Sequence, residues 1–386
     1  MDHKVKLKKA IGLEGFLCLL FFILFFLLIG REMGTANMFS TLMNTAYSLL
    51  IKVVFYIMAI AVVAGAISAM LSEFGVISII NMVLSPLMKP LYDLPGAGAL
   101  GIVTTYLSDN PAILTLAKDK GFRRYFKKYQ LPALTNLGTA FGMGLIVTTF
   151  MIGQKSTIGE SFIGPAIIGN IGAIIGSIVS VRLMIWQTKK IYGTEEMCDS
   201  EGTISFNMLT HREVREGGVT ARLLESLLEG GKTGVELGLA IVPGVLIICT
   251  LVIMLTNGPA DGGLYTGAAN EGVRILPWVG EKLSFILTPL FGFASPEAIA
   301  FPITSLGAVG AAISLVPELL KKGLIGGNEI AVFTAMGMCW SGYLSTHVAM
   351  MDGLKCRNLT GKAILSHTVG GLVAGVAAHL MYILFL

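Results

Sequence analysis

The chain has 386 residues, of which 54% are apolar and only 13% charged, and its formal net charge is +4. A soluble domain carries about 25% charged residues, so a soluble enzyme or soluble binding module is excluded and lipid must be the solvent for most of the surface. Glycine is abundant at 47 residues, which suits helices packed closely in a bilayer, and no nucleic-acid partner is expected.

The first apolar run, Ile11 to Gly30, follows Lys4, Lys6, Lys8 and Lys9 and is followed by Arg31 and Glu32. It is longer than the apolar core of a signal peptide and has about the 20 residues that cross a bilayer, so a retained first helix is expected. Five further apolar segments follow at Thr45–Leu71, Val76–Tyr92, Ala97–Ala117, Leu131–Ile152 and Ser161–Gln187. A polar stretch from Lys189 to Lys232 separates them from five more, Val235–Leu255, Ile275–Phe293, Pro296–Leu320, Asn328–Met351 and Gly361–Leu386. The expectation is an all-α integral membrane protein of about 11 helices: one N-terminal helix and two five-helix repeats. The segments divide as residues 1–44 (tail and first helix), 45–188 (first repeat), 189–234 (cytoplasmic connector) and 235–386 (second repeat). Within the connector, Arg222 to Lys232 reads as a short amphipathic surface helix.

If every segment crosses, the positive-inside rule places the N-terminus, the cluster from Lys118 to Lys128, the connector and Lys355 to Lys362 in the cytoplasm. The opposite side receives Arg31, Lys155, the Asn257–Asn270 loop and, as the modest exception, Lys321 with Lys322. The second and third segments of each half, Val76–Tyr92 being short, could instead re-enter without crossing. That alternative leaves the orientation unchanged.

The halves resemble each other. Leu84-Ser85-Pro86-Leu87 matches Leu287-Thr288-Pro289-Leu290, and Val103-Thr104-Thr105 matches Ile303-Thr304-Ser305. Lys120-Gly121 matches Lys322-Gly323, and the pair Gly172/Gly176 matches Gly371/Gly375. The order is kept throughout, at offsets between 199 and 203 residues. Five crossings per repeat force opposite orientations, the inverted-repeat plan of many secondary transporters, whose sites lie near the midplane on broken helices. Breaks are marked by Asp109-Asn110-Pro111 in the first half and by Ser295-Pro296-Glu297, between Pro289 and Pro302, in the second. The glycine pairs, with Gly138 and Gly142, predict close helix contacts.

At these residues the chain resembles the nucleoside-recognition, or gate-domain, membrane protein superfamily. That group includes concentrative nucleoside transporters, the gate region of ferrous-iron transporters, spore-maturation proteins and an uncharacterised bacterial branch. The resemblance rests on the pattern from Pro86 to Pro111, including Ser108-Asp109-Asn110-Pro111, and on its echo from Pro289 to Pro317. No GxxxxGK[ST] stretch occurs, so the ferrous-iron transporter reading fails. The fused halves and extra first helix are most similar to the bacterial branch, which implies a bacterial cytoplasmic (inner) membrane protein with its N-terminus in the cytoplasm.

The candidate solute- or ion-binding residues are Thr104, Thr105, Asp109, Asn110, Asn136, Glu297, Thr304 and Ser305. A carboxylate inside a membrane segment faces a cavity, partner or ion path, so Asp109 with Asn110 is suited to hold a cation or polar solute. Its alternative is an interfacial position satisfied by Lys118 or water. The hydroxyl pairs Thr104-Thr105 and Thr304-Ser305 would approach each other across a pseudo-two-fold axis, or back-bond to helix carbonyls. Glu297 is a coupling-ion ligand or a charge at a helix start. Asn136 could join the site, whereas His347 and His367 read as helix-packing residues. The five cysteines are isolated, no metal-ligand spacing occurs, and no nucleophile–base set appears, so neither an enzyme nor a metal site is expected. The leading expectation is a secondary transporter of a small polar solute (nucleoside-like, amino-acid-like or an ion). It would have no cofactor, a Na+ or H+ coupling ion, and an open question of homo-oligomer formation. The alternative is a non-transporting membrane scaffold.

Overall fold

The computed structural model describes residues 10–118, 120–156, 159–198, 211–212, 214–259 and 263–386. Helix α1 (Leu13–Met33) is almost wholly exposed and carries Phe and Leu on every face, as a helix facing lipid must. It turns at Gly34 into α2 (Thr35–Leu49), which continues through a π turn at Leu50–Val54 into α3 (Phe55–Glu73). Helix α4 (Val76–Tyr92) follows, then α5 (Gly98–Leu107), α6 (Pro111–Lys118), the short α7 (Lys120–Arg123), α8 (Ala133–Phe141), α9 (Gly144–Ile152) and the long α10 (Ile163–Tyr192).

The second half runs parallel to this list. Helices α11 (Val219–Ala240) and α12 (Val242–Gly244) lead through a π turn at Val245–Cys249 into α13 (Thr250–Thr256). Helix α14 (Ile275–Phe291) precedes a 3-10 turn at Pro296–Ile299, α15 (Ala300–Ser305), α16 (Val309–Ile313) and α17 (Val316–Lys321). Then come α18 (Gly327–Cys339), α19 (Tyr343–Gly353) and α20 (Thr360–Phe385). The protein is an all-α membrane protein; among the described residues β pairing is limited to one bridge, Lys127 to Met197.

Equivalent helices of the two halves cross antiparallel. Along α3 and α11, Gly230 faces Gly65, Gly234 faces Ala61 and Gly238 faces Met58. Along α10 and α20, Gly172 faces Ala378, Gly176 faces Ala374 and Gly370 faces Ser180. Thr135 on α8 reaches Met351 on α19, while the Thr139 carbonyl reaches Ser341. In every pair the residue numbers rise on one helix as they fall on the other, so the repeats are inverted. A side chain at Gly176 would stand 2.4 Å from the Gly370 carbonyl, so the expected small-residue contact is made within the chain, backbone against backbone.

By length and composition, fewer than eleven helices of span size are found among the described residues. Among the described residues six helices are long and apolar enough to cross: residues 13–33, 35–73, 133–152, 163–192, 219–256 and 357–385; a bent pair, 275–291 with 296–305, makes a seventh if counted as one span. Helix α4 has 17 residues and α5 only 10, so they reach about 25 and 15 Å against a hydrocarbon core of about 30 Å. Hydropathy cannot separate these from spans, because a re-entrant helix buried in protein is as apolar as one in lipid. The third segment folds back on itself: Gly101 on α5 packs against Ile113 on α6, so α5 and α6 form a hairpin with its tip at Ser108–Asn110. The fourth helix of each half is interrupted by a left-handed residue about 200 positions apart, Met143 (φ 55) and Gly342 (φ 67). The turns after α4 and α14 also correspond. Asp93 (φ 57) has its carbonyl held by Gln130 Nε2 at 2.6 Å, and Gly292 (φ 66) has its carbonyl held by Asn328 Nδ2 at 3.0 Å.

The first helix of each half starts earlier than hydropathy places it, at Thr35 and at Val219. The expected surface helix at Arg222 to Lys232 is therefore the opening of a 38-residue helix. The first turns are polar yet packed. Asn37, Ser40 and Asn44 on α2 bond the carbonyls of Tyr265 and Gly267. On the other long helix, Arg222 and the preceding Arg215 both bond the Glu73 carboxylate, at 2.6 Å each.

Candidate functional site

The tip of the α5–α6 hairpin is where the halves meet. Pro111 opens α6, since proline presets the helical φ and lacks an N–H that a first turn leaves unpaired anyway; Ser108 to Asn110 therefore form the non-helical link. Ser108 Oγ donates to the Thr104 carbonyl at 2.7 Å, which ends α5. Asn110 is 3% exposed. Its Nδ2 donates to the Ser341 carbonyl, and its Oδ1 accepts from Ser341 Oγ at 3.1 Å. Ser341 sits in the break between α18 and α19 and also donates to the Thr139 carbonyl at 3.0 Å. A side chain at Gly142, in the break between α8 and α9, would stand 1.6 Å from Asn110 Oδ1. Three discontinuities thus converge on one asparagine, which replaces the hydrogen bonds that broken helices leave open.

Asp109 points the other way, into a cavity of 340 Å³ between the hairpin and the α3–α11 crossing. Its polar wall is Ser68, Ser72, Thr104, Ser108, Asp109 and Thr233; Gly65, Gly230 and Gly234 supply the floor where the two long helices touch. Asp109 Oδ1 accepts the Asn110 N–H at 2.7 Å. Among the described residues it has no cationic partner, and the Lys118 side chain lies outside them. An unpaired carboxylate in a largely apolar cavity carries a large desolvation cost, which a bound cation, an ammonium group or a proton removes. Ser72 and Ile77, at the start of α4, line one end of the cavity, next to Glu73, which Arg215 and Arg222 bond.

The remaining sequence candidates are spread around this centre. Thr104 lines the cavity but its hydroxyl donates to the Leu100 carbonyl at 2.8 Å; Thr105 is buried behind it and donates to Gly101 at 2.7 Å. Thr304 and Ser305 bond back to Ala300 and Pro302. Every hydroxyl of the two repeat-related pairs is therefore engaged by its own helix, and the pairs do not bond to each other. Glu297 lies in the 3-10 turn leading into α15, 5% exposed, and receives Arg274 Nη2 at 2.6 Å. Asn136 belongs to a separate buried network, donating to Ser180 Oγ and to the Ala363 carbonyl, both at 3.0 Å; Ser180 also bonds His367 Nδ1 at 2.8 Å. His347 lies against His367 with the rings tilted by 46° and their centroids 4.7 Å apart, and both side chains are buried. Sequence reading missed Ser341, Ser68, Ser72 and Thr233. Single hydroxyls in apolar helices give no signal until the fold turns them to a common space. Among the described residues no group of three or more His, Cys, Asp or Glu side chains could hold a metal.

No family model matches the sequence, and no curated protein matches it. Solved structures of the concentrative nucleoside transporter CNTnw do share the fold. A doubly substituted form in an outward-facing state is 15% identical with a TM-score of 0.52, over 86% of this chain and 76% of that one. The inward-facing, substrate-bound state is 13% identical with a TM-score of 0.52, over 84% and 74%. A singly substituted form in the intermediate 2 state is 15% identical with a TM-score of 0.52, over 84% and 74%.

Proposed function

We propose that this protein is a secondary transporter that moves a small polar solute across the membrane by alternating access. The observation that carries the reading is the Asp109 cavity. A carboxylate without a cationic partner among the described residues sits at the tip of a re-entrant hairpin, inside a membrane protein, at the junction of two inverted halves. Ligand pockets have volumes of about 300–1,000 Å³ with a few convergent polar groups, and this cavity matches that description. Asp109 holds the cationic part of the solute, or a coupling Na+ or H+, and Ser68, Ser72, Ser108 and Thr233 line the space around its polar groups. Asn110 is the positioning residue: by tying the tip to Ser341 it couples the hairpin to the break in the fourth helix of the other half. A fold shared with a transporter solved in outward-facing, inward-facing and intermediate states supports a mechanism by rearrangement of these halves.

The solute class is nucleoside-like, amino-acid-like or a simple ion. The repeats as functional units are residues 45–188 and 235–386 with the connector between them; their helices extend to Thr35 and Val219. The basic loops favour a cytoplasmic N-terminus and connector, in a bacterial inner membrane. No cofactor is required, and a homo-oligomer fits the large apolar surface without being needed by the site.

The test is uptake into proteoliposomes, with solutes first selected by thermal-shift screening against nucleosides, amino acids and cations. Asp109→Asn should abolish the shift and lower uptake by at least about tenfold, while the folded protein remains in the membrane. Glu297→Gln keeps an oxygen that accepts from Arg274 Nη2 and lies outside the Asp109 cavity, so it should leave uptake near normal. Normal uptake by Asp109→Asn would place the solute elsewhere, and no flux for any solute would favour a membrane scaffold.

A further inference from the structure

On the face opposite the connector lies a second, larger cavity of 560 Å³ that the transport reading does not use. Its walls come from the π turn of the first long helix, from α13, from the loop before α14 and from α16–α17. Three lysines reach it: Lys52 from the π turn, and Lys321 with Lys322 from the end of α17. Lys321 and Lys322 are the basic pair that falls on the side otherwise poor in positive charge.

Two carboxylates share the wall: Glu271 is held by its own loop, and Glu318 is engaged by Lys322, which leaves Lys52 and Lys321 without a carboxylate. Glu271 is 2% exposed, with Oε1 accepting from Thr266 N (2.9 Å) and Oγ1 (2.7 Å), and Oε2 from Gly267 N (2.9 Å) and Thr41 Oγ1 (3.3 Å). Glu318 pairs with Lys322 at 3.5 Å, and Lys322 Nζ also donates to Asn257 Oδ1 at 3.0 Å. Lys52 and Lys321 have no acidic partner among the described residues. Lys52 stands within a helix of span length, where a cation normally meets a cavity or counter-charge. Lys52, Lys321 and Lys322 are all exposed, and they line one polar pocket rather than being scattered over the surface. A π turn adds one residue to a helix and is frequently found at functional sites. Here it lies against the second π turn, Val245–Cys249, of the other long helix.

We infer that this cavity is a binding site for a small oxyanion of the phosphate class, held by Lys52 and Lys321 with Lys322 completing the cationic side, and distinct from the Asp109 cavity. Ammonium groups bind phosphate as point charges and need no planar match, so three flexible lysines around one polar space suffice. The oxyanion is either a soluble phosphate or the headgroup of an anionic phospholipid, and the chemistry of recognition is the same.

The inference is tested on the full-length protein, purified in a phosphate-free maltoside detergent and titrated with inorganic phosphate. Chloride at matched ionic strength is the control, read by calorimetry and by melting temperature. Phosphate should bind saturably and raise the melting temperature where chloride does not. Lys52→Gln and Lys321→Gln should each weaken binding by about tenfold, the loss of one charge-assisted contact, and the double variant should show none. Lys232→Gln, on the exposed face of α11, and Asp109→Asn should bind phosphate as the parent does. Chloride acting as well as phosphate, or an unchanged double variant, would overturn the assignment. In nanodiscs, a phosphate response lost in phosphatidylglycerol but kept in phosphatidylcholine identifies the lipid headgroup. A response kept in both identifies a soluble anion.

Discussion

Substituting Gly230 by alanine adds one methyl group at the crossing of α3 and α11. The new carbon would stand 2.2 Å from the Gly65 carbonyl oxygen, 2.6 Å from Ala69 Cβ and 2.8 Å from the Gly65 carbonyl carbon. Ordinary carbon contacts begin near 3.5 Å, so the helices must part by about 1 Å, and the atoms in the way are mainly backbone that no rotamer change can move. Overpacking of this kind costs about 1–3 kcal/mol. Alanine recovers about 0.5–1 kcal/mol of helix propensity over glycine, so a net loss of about 1–2 kcal/mol is expected. The neighbouring Gly231 is the internal control. Its added methyl would meet Val62 Cγ1 at 3.6 Å, an ordinary contact, so Gly231→Ala should gain the propensity term without a steric penalty. The assay is the apparent melting temperature of both variants in one detergent, run beside the parent protein. Gly230→Ala should melt below the parent and Gly231→Ala at or above it. Association of helices in lipid depends on this close approach of small residues rather than on hydrophobic burial. If Gly230→Ala melts at or above the parent, or both variants fall equally, the backbone contact between the halves is wrong.

Asn110→Ala should leave the Ser341 carbonyl without its side-chain donor in a buried site, at about 1–3 kcal/mol, while the Ser341 hydroxyl keeps the Thr139 carbonyl. A double-mutant cycle with Ser341→Ala should show coupling of at least about 0.5 kcal/mol; additive losses would refute the link. Gly142→Ala should reproduce the Asn110→Ala phenotype, because its methyl would occupy the place of Asn110 Oδ1; a normal melting temperature would count against the convergence of breaks. The loop before α14 should be acid-sensitive. Burial raises the Glu271 carboxyl, but hydrogen bonds from Thr266, Gly267 and Thr41 outweigh it and hold the group below its ordinary 4.5. A depressed folded value stabilises the docked loop fully above pH 4.5, and this is lost as pH falls through the folded value. The protection factor of residues 263–272, exchange relative to the intrinsic rate at each pH, should fall only below pH 4.5, and Glu271→Gln should lower it at about pH 7. A protection factor unchanged through pH 4.5 in the parent protein would contradict the assignment.

Much of the plan was readable in the chain. Apolar runs reported lipid, because hydropathy is a property each segment carries alone. Leu84 to Leu87 against Leu287 to Leu290, and the glycine pairs, reported the repeat; an odd number of segments then implied inversion. Asp109-Asn110-Pro111 marked a real discontinuity, since Pro111 takes the first position of a new helix, whereas Pro86 and Pro90 lie inside α4. The number of crossings was not readable. Gly98–Leu107 is apolar because protein surrounds it, and an apolar protein interior leaves the same trace in sequence as lipid does.

Partners were decided by the tertiary structure. Asn110 meets Ser341 from the other half of the chain, Glu297 meets Arg274, and the hydroxyl pairs satisfy their own helices. Lys52 is one cation in an apolar stretch of sequence, and the fold sets it beside Lys321 and Lys322. By itself the sequence determined the solvent of each segment and the symmetry between halves, because both are written in local composition and spacing. Which side chains share a cavity depends on where two antiparallel halves cross, and that is set by backbone contacts such as Gly65 with Gly230, which only the folded chain brings together.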